Sequence, residues 1–216
     1  MIAQHSNCIN YFNKKILNEL NDVCTTWIAG GALRDYFSYG YIKSDIDLYF
    51  PNEKEMNKCL KYFTEVNADV DETFTVNTNS KRGKIIYENE NVVSITYRNM
   101  QLDIVKRYFK TPEDAIKEFD FTVSCAAVDR EKVYFHETFF IDLAKKALVI
   151  NKLPHPISTL WRMQKYIKKG FTICKGGLLE IVEAIQKLER DDETSTTIED
   201  QLEFYPDGTP KFIGID

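Results

Sequence analysis

The sequence predicts an α+β protein, a head of strands and helices followed by a small helical part. Three observations predict it. Strand-like stretches dominate residues 24–150, apolar residues at helical spacing dominate residues 152–190, and a glycine pair, Gly30-Gly31, separates a short β-prone run from a helix-like one.

Each element follows from local pattern. Ile9, Phe12, Ile16, Leu17 and Leu20 recur at helical spacing, so an amphipathic helix is expected from Cys8 to Asp22. Residues 24–29 are short and β-prone, and after Gly30-Gly31 the run Ala32 to Phe37 reads as a helix ending at Gly40. Residues 45–50, Asp-Ile-Asp-Leu-Tyr-Phe, alternate as a half-buried strand would, and Pro51 closes them. A helix is expected from Glu53 to Val66. Four β-like stretches follow at Thr73–Asn77, Lys84–Glu88, Val92–Tyr97 and Met100–Lys106, with antiparallel pairing expected. The last two are joined by Arg98-Asn99, a two-residue link suited to a hairpin. Residues 112–118 read as a helix and Lys132–His136 as a short strand. A helix over Ile157–Lys169 is expected to turn Leu160, Trp161, Met163, Tyr166 and Ile167 inward, and a last helix runs from Gly177 to Glu189. The domain reading is a head over 1–150, a helical neck over 151–190 and an acidic tail over 191–216, turning at Pro206-Asp207-Gly208.

A chain of 216 residues can bury roughly 70% of its unfolded surface without disulfide or metal support. Apolar residues at 44% and charged residues at 28% are ordinary for a globular protein, and no apolar run reaches the roughly 20 residues of a membrane span. The N-terminus lacks the basic segment and apolar stretch of a signal peptide, so a cytoplasmic protein without a membrane partner is expected. Five dispersed cysteines with no C-x-x-C pair argue against a disulfide framework or zinc site and read as reduced, mostly buried thiols. The net charge of −5 hides an uneven distribution: residues 143–179 hold eight basic side chains and no acidic one, while residues 180–216 hold three basic and eleven acidic. The basic block could attract phosphates or dock the acidic tail.

The chemistry concentrates at three aspartates. Asp45 and Asp47, two apart on a strand, leave from one face with their carboxylates close together. Crowded carboxylates repel each other unless a cation sits between them, so the D-x-D points to a divalent metal with oxygen ligands. Asp103 stands among the apolar neighbours Leu102, Ile104 and Val105, where a lone charge is costly to bury without a partner. Upstream, the Gly30-Gly31 turn opens a helix whose first N–H groups and positive dipole end suit nucleotide phosphates, with Arg34 one turn in.

In this order, Trp27 to Asp35, Ser44-Asp45-Ile46-Asp47-Leu48 and Leu102-Asp103-Ile104 resemble the DNA polymerase β-like nucleotidyltransferase superfamily. Within it the likeness is closest to the head and neck of tRNA CCA-adding enzymes and bacterial poly(A) polymerases. Phe119-Asp120-Phe121-Thr122-Val123, Phe140-Ile141-Asp142-Leu143 with Leu148-Val149-Ile150, and Leu160 to Tyr166 with Gly170-Phe171 continue the likeness over some 150 residues. The resemblance implies a nucleotidyltransferase head with a mixed, largely antiparallel sheet flanked by helices, and a small helical neck. It also implies an enzyme moving NMP from an NTP such as ATP to an acceptor hydroxyl with release of pyrophosphate.

The roles implied are specific. Asp45, Asp47 and Asp103 would be catalytic and would ligate Mg²⁺ or Mn²⁺, one ion on the triphosphate and one activating the attacking hydroxyl. Gly30 and Gly31 would hold phosphates, Arg34 would neutralise them, Asp35 would orient the turn, and Asp120 would link head and neck. An RNA 3′ end, as in tRNA processing, is the expected acceptor, contacted by Arg162, Lys165 and Lys169 on one face of the neck helix. Departures from the family pattern are Glu118 and Phe119 in place of two arginines, Ser124 in place of an asparagine, and no visible E-D-x-x-R in the neck. Two alternatives stay open: transfer to a protein or small molecule, and a silent fold used for binding or assembly.

Overall fold

The computed structural model describes residues 2–65 and 82–188, together with two short strands at Leu202–Phe204 and Pro210–Phe212. Pattern becomes packing from the first helix. Helix α1 (Ile2–Phe12) passes through a π-helical turn at Asn13–Leu17 into α2 (Asn18–Leu20). Cys8, Phe12, Ile16, Leu17 and Leu20 are at most 1% exposed. The helix starts earlier than the apolar stripe predicts and ends before Asp22. The π turn allows the adjacent Ile16 and Leu17 both to be buried.

Strand β1 (Trp27–Ala29), helix α3 (Gly31–Tyr39) and strand β2 (Ile46–Phe50) form the expected strand–glycine–helix–strand succession. Helix α4 (Glu53–Thr64) starts where Asn52 Oδ1 accepts the Glu55 N–H at 3.0 Å, an N-cap. Strands β3 (Lys84–Glu88), β4 (Val92–Tyr97) and β5 (Met100–Tyr108) follow. Arg98 and Asn99 have φ of 45° and 62°, the left-handed pair that a tight hairpin turn requires. Then come α5 (Pro112–Ile116), β6 (Ala126–Val128), β7 (Val133–Phe135), α6 (Phe139–Lys145), β8 (Ala147–Leu148), α7 (Pro156–Lys168), β9 (Thr172–Ile173) and α8 (Lys175–Leu188). The last two strands, β10 (Leu202–Phe204) and β11 (Pro210–Phe212), pair antiparallel. The strand expected at Thr73–Asn77, the turn at 206–208 and the rest of the acidic tail lie outside the described residues.

The main sheet has seven strands in the order β3-β4-β5-β2-β1-β6-β7. Pairing is antiparallel for β3 with β4, β4 with β5, β1 with β2 and β1 with β6, and parallel for β2 with β5. The sheet is therefore mixed and largely antiparallel, as expected. One expectation fails at its centre: β2 is not half-buried, since it runs between β1 and β5 with α3 and α4 packed against it, and all five of its residues are buried. Helix α4 covers one face of the sheet, with Phe63 against Tyr97 at 5.1 Å between ring centroids.

Two compact units divide the chain: residues 1–115 with 126–134, and residues 116–125 with 135–216. Residues 116–125 and 135–150, expected with the head, thus pack in the same unit as α7 and α8. The core of the first unit gathers Ile28, Leu33, Leu48, Phe50, Phe63, Ile95, Leu102 and Ile104, all fully buried. That of the second gathers Phe121, Val123, Leu148, Met163, Tyr166, Phe171 and Ile181. On α7, Met163 and Tyr166 face inward as expected, Leu160 and Trp161 are half-buried, and Ile167 is 47% exposed, so its expected inward position is corrected. Cysteines 8, 24, 59 and 125 are buried, while Cys174 is exposed. No helix among the described residues is long and apolar enough to cross a membrane.

Glu55 ties α4 to the lead-in of β1, accepting from Lys58 Nζ at 2.7 Å and from the Thr25 N–H at 2.8 Å. The Lys58 bond first, then the Thr25 bond, hold its carboxyl below the usual range. A carboxyl lowered on folding stabilises the fold above its unfolded pKa and loses that contribution as pH falls through its folded pKa. Glu55→Gln is therefore expected to lower the melting temperature at pH 7, with the gap to the parent protein closing by about pH 3. A gap of equal size at both pH values in thermal melts would count against this.

Candidate active site

Four segments of the first unit converge in the sheet. Parallel pairing sets Asp47 opposite Asp103, and antiparallel pairing sets Asp47 opposite Ala29, the last residue of β1 before the glycine turn. Directly paired residues share a face, and so do residues two apart on one strand. Asp47 and Asp103 therefore lie on one face, with apolar Ile46, Leu48 and Ile104 on the other, and Asp45 stands in the loop immediately before the strand. Asp47 is 4% exposed, Asp103 is half-buried and Asp45, just before β2, is exposed. Gln101, two residues before Asp103, donates its Nε2–H to Asp103 Oδ1 at 3.1 Å. Ser94, opposite Asp103 on β4, shares the same face and is buried.

The donor set consists of three carboxylates with no thiolate or imidazole, which fits a hard divalent cation such as Mg²⁺. That fit is one of chemistry and of sheet face. Among the described residues no three His, Cys, Asp or Glu side chains form a group arranged to hold a metal ion.

The glycine turn is built by backbone constraint. Gly30 has φ 81° and ψ −128°, a region that side-chain-bearing residues rarely enter, and its N–H donates to the Ala126 carbonyl at 2.9 Å. This bond fixes the end of β1 to β6 and lets α3 begin at Gly31 without a side-chain cap. A Cβ on Gly31 would stand 3.2 Å from Ser44 Oγ and 3.4 Å from Arg34 Nη2, so the absent side chain leaves a cradle between the helix start and residue 44. The Ser44 hydroxyl is buried and has no hydrogen-bond partner among the described residues. A buried unpartnered hydroxyl beside a bare helix N-terminus fits a phosphate oxygen.

Arg34 is not a surface charge: it is 4% exposed, its Nε and Nη2 both donate to Asp35 Oδ1, at 3.1 and 2.9 Å, and its Nη2 lies beside the Gly31 cradle. Asp35 Oδ2 accepts the Lys43 N–H at 3.2 Å. The pair thereby anchors the loop that delivers Ser44 and Asp45. Sequence reasoning gave Ser44, Ser94 and Gln101 no role. The strand period of two could have pointed to Gln101, but Ser94 is found only through cross-strand register.

The basic segment belongs to the second unit. Lys165 on α7 and Lys169 just past its end are exposed, but Arg162 is not part of an open basic face. Its Nε donates to Asp120 Oδ2, with side chains 15% and 6% exposed. Asp120 Oδ1 also accepts the Phe121 N–H, and the Asp120 carbonyl accepts the Asn151 N–H. Arg162 is thus engaged with an internal carboxylate, and Asp120 with it lies inside one unit.

Residues 3–146 match the family model described as "Gabija anti-defense 2 family protein". A curated relative, "Gabija anti-defense 2" of Bacillus phage SPbetaL7, is 29% identical over 160 residues, spanning 72% of this chain and 36% of that protein. The chain therefore spans about a third of the relative's length. Among solved structures, the Thermotoga maritima CCA-adding enzyme complexed with tRNA aligns at a TM-score of 0.52 and 15% identity, over 85% of this chain and 42% of that one. The Bacillus stearothermophilus CCA-adding enzyme in complex with CTP aligns at 0.53 and 15% identity, over 87% and 44%. At such identities the likeness shows the fold, which is that of these nucleotidyltransferases.

Gly30→Ala is expected to cost about 1–3 kcal/mol, the usual penalty for a side chain held in such a backbone region, measurable by urea denaturation. A loss below about 0.5 kcal/mol would contradict the strained turn. Arg162→Ala leaves the buried Asp120 carboxylate without its cation and should destabilise by about 3 kcal/mol. The Lys165→Ala change on the exposed face of the same helix should stay within about 0.5 kcal/mol.

Proposed function

Because the chain belongs to the Gabija anti-defense 2 family and has the fold of nucleotidyltransferases, we propose that it is a metal-dependent nucleotidyltransferase serving the anti-defence role that the family name describes. One observation carries the reading: the register that pairs Asp47 with Asp103 and with the residue leading into the glycine turn. It gathers a carboxylate face and a phosphate cradle around one strand end. The reaction is transfer of NMP from an NTP to an acceptor hydroxyl. The hydroxyl oxygen bonds to the α-phosphorus, the bond to the pyrophosphate oxygen breaks, and the hydroxyl proton leaves to water.

The chain's own residues have separable tasks. The α3 N-terminus, with Ser44 beside Gly31, receives the phosphates of the NTP. The Arg34–Asp35 pair holds the loop before Asp45 in place through Lys43. Asp45, Asp47 and Asp103 would hold Mg²⁺, which supplies charge neutralisation on the triphosphate and lowers the pKa of the attacking hydroxyl. Gln101 fixes the rotamer of Asp103. An RNA 3′ end is the acceptor class we favour, and exposed Lys165 and Lys169 could add phosphate contacts.

A specific observation favours a second reading, a silent fold that binds a nucleotide or partner without transfer: no three-ligand metal group is arranged among the described residues, and Arg34 already engages Asp35. The two readings separate in one experiment. Each α-labelled NTP is incubated with Mg²⁺ or Mn²⁺ and host extract, and labelled macromolecules are resolved. The transferase reading expects label on one acceptor class, lost in Asp47→Asn. It also expects Mg²⁺–NTP at a hundred times its Kd to stabilise the parent protein by about 2.7 kcal/mol, and the variant by much less. Stabilisation without labelling would establish the silent fold, and neither signal would end both.

A further inference from the structure

A strand at the border of a sheet offers unpaired N–H and C=O groups, and natural edges are blunted against pairing by charges, bulges or a covering element. Strand β3 ends the seven-strand order, with no strand on its outer side among the described residues. All five of its residues are exposed, and its charges, Lys84 and Glu88, stand only at the two ends. Between them Ile85 is 41% exposed, Ile86 49% and Tyr87 39%, three consecutive apolar or aromatic side chains open to solvent.

The register of β3 decides what this edge fits. Lys84 pairs with Thr96 and Tyr87 with Ser94, and those two stand opposite Gln101 and Asp103 on β5, so Lys84 and Tyr87 share the carboxylate face. Ile85 pairs with Ile95 and lies on the other face, where α4 packs. The register shifts between Ile85 and Tyr87, a bulge that leaves Ile86 as the extra residue. The strand is thereby complementary to its own reverse. In antiparallel pairing about a two-fold axis between Ile85 and Ile86, Lys84 meets Tyr87 of a second copy and Ile85 meets Ile86, each pair formed twice. Lys84 and Tyr87 lie on the same face, as cross-strand partners must, and an ammonium against a tyrosine ring is favourable. No like charges are opposed. A shift of one residue would oppose Lys84 to Glu88, but it would set Ile85 of one face against Tyr87 of the other. Glu88, moreover, already pairs with Lys106 at 2.9 Å within its own sheet.

We propose that β3 is a homodimer interface at which a second copy of this chain adds its own β3 antiparallel, centred on the Ile85–Ile86 step. The sheet of the first unit then continues from one copy into the other. A two-fold axis perpendicular to the sheet leaves both carboxylate faces on the same side. The occupant is a second copy because the charges, the aromatic ring and the isoleucines of this edge match their own reversed order. Five residues a side bury less than the roughly 1,200 Å² of a stable interface, so the dimer forms and dissociates with concentration in the micromolar range. It is independent of the transferase reading.

Sedimentation velocity of the full chain from about 2 to 200 µM is expected to show a monomer–dimer equilibrium, and hydrogen exchange of the β3 amides should slow at the upper concentration. Ile86→Lys should weaken dimerisation about tenfold or more, Ile86→Val should stay within about threefold, and Val182→Lys, at an exposed apolar position of α8, should leave it unchanged. Cross-linking reads the register in a Cys174→Ser background, which removes the exposed thiol. There a mixture of the Lys84→Cys and Tyr87→Cys proteins should form a disulfide-linked heterodimer under mild oxidation, at several times the yield of either variant alone. Melting temperatures confirm that the variants are folded. A monomer at every concentration overturns the interface, as does a dimer that Ile86→Lys leaves intact. Amides of β3 equally protected at both ends of the concentration range mean that the same chain covers its own edge, which also overturns it. A dimer lost in Ile86→Lys that gives no Lys84→Cys–Tyr87→Cys cross-link overturns the pairing.

Discussion

The register of β2 is the constraint on which the remaining architecture depends. Five buried residues lie between β1 and β5, and side chains alternate between faces, so a slip of one residue would exchange the two sets. Ile46 and Leu48 would then turn to the carboxylate face, and Asp47 would enter an apolar layer with Ile95, Leu102 and Ile104. Burying an uncompensated carboxylate there costs several kcal/mol. The apolar residues of β2 therefore hold the aspartates where they are. Core and site are two faces of one alternating pattern, and the parallel pairing with β5 transmits that pattern to Asp103.

What was legible in the sequence was local. The D-x-D needs only the period of a strand, the glycine pair only a turn before a helix, and Arg98-Asn99 only hairpin chemistry. What was hidden depended on distant partners. That β2 would run parallel to β5, some 55 positions on, is invisible to periodicity. Ala126–Val128 is three small apolar residues, too short to announce a strand, yet it receives the Gly30 N–H. Arg34 and Arg162 read as free cations because a charge looks the same in sequence whether it meets solvent or a buried carboxylate. Ile167 was assigned inward by spacing, although its side of α7 is left exposed.

The positions that depart from the resembled family pattern have packing roles inside the second unit. Glu118 pairs with Lys152, and the Ser124 hydroxyl meets the Tyr166 hydroxyl within a buried cluster. The Phe119 carbonyl accepts the Asn151 Nδ2–H at 2.7 Å. These residues join the segment to α7 and the β8–α7 connection, a different use of the positions from the charged one that arginines would supply. The segment that follows the central strands is thus built around its own partners.

The division of the chain into two units has a consequence for synthesis and dissection. The backbone passes from one unit to the other three times, after Ala115, after Cys125 and within β7 after Tyr134. During translation the first unit lacks β6, and with it the acceptor of the Gly30 N–H, until ten residues of the second unit have been made. The Gly30 N–H therefore cannot make its bond to β6 before residue 126 has been synthesised. For the same reason no single cut yields either unit whole. A two-piece version of the protein would have to be complemented in trans or rewired by circular permutation.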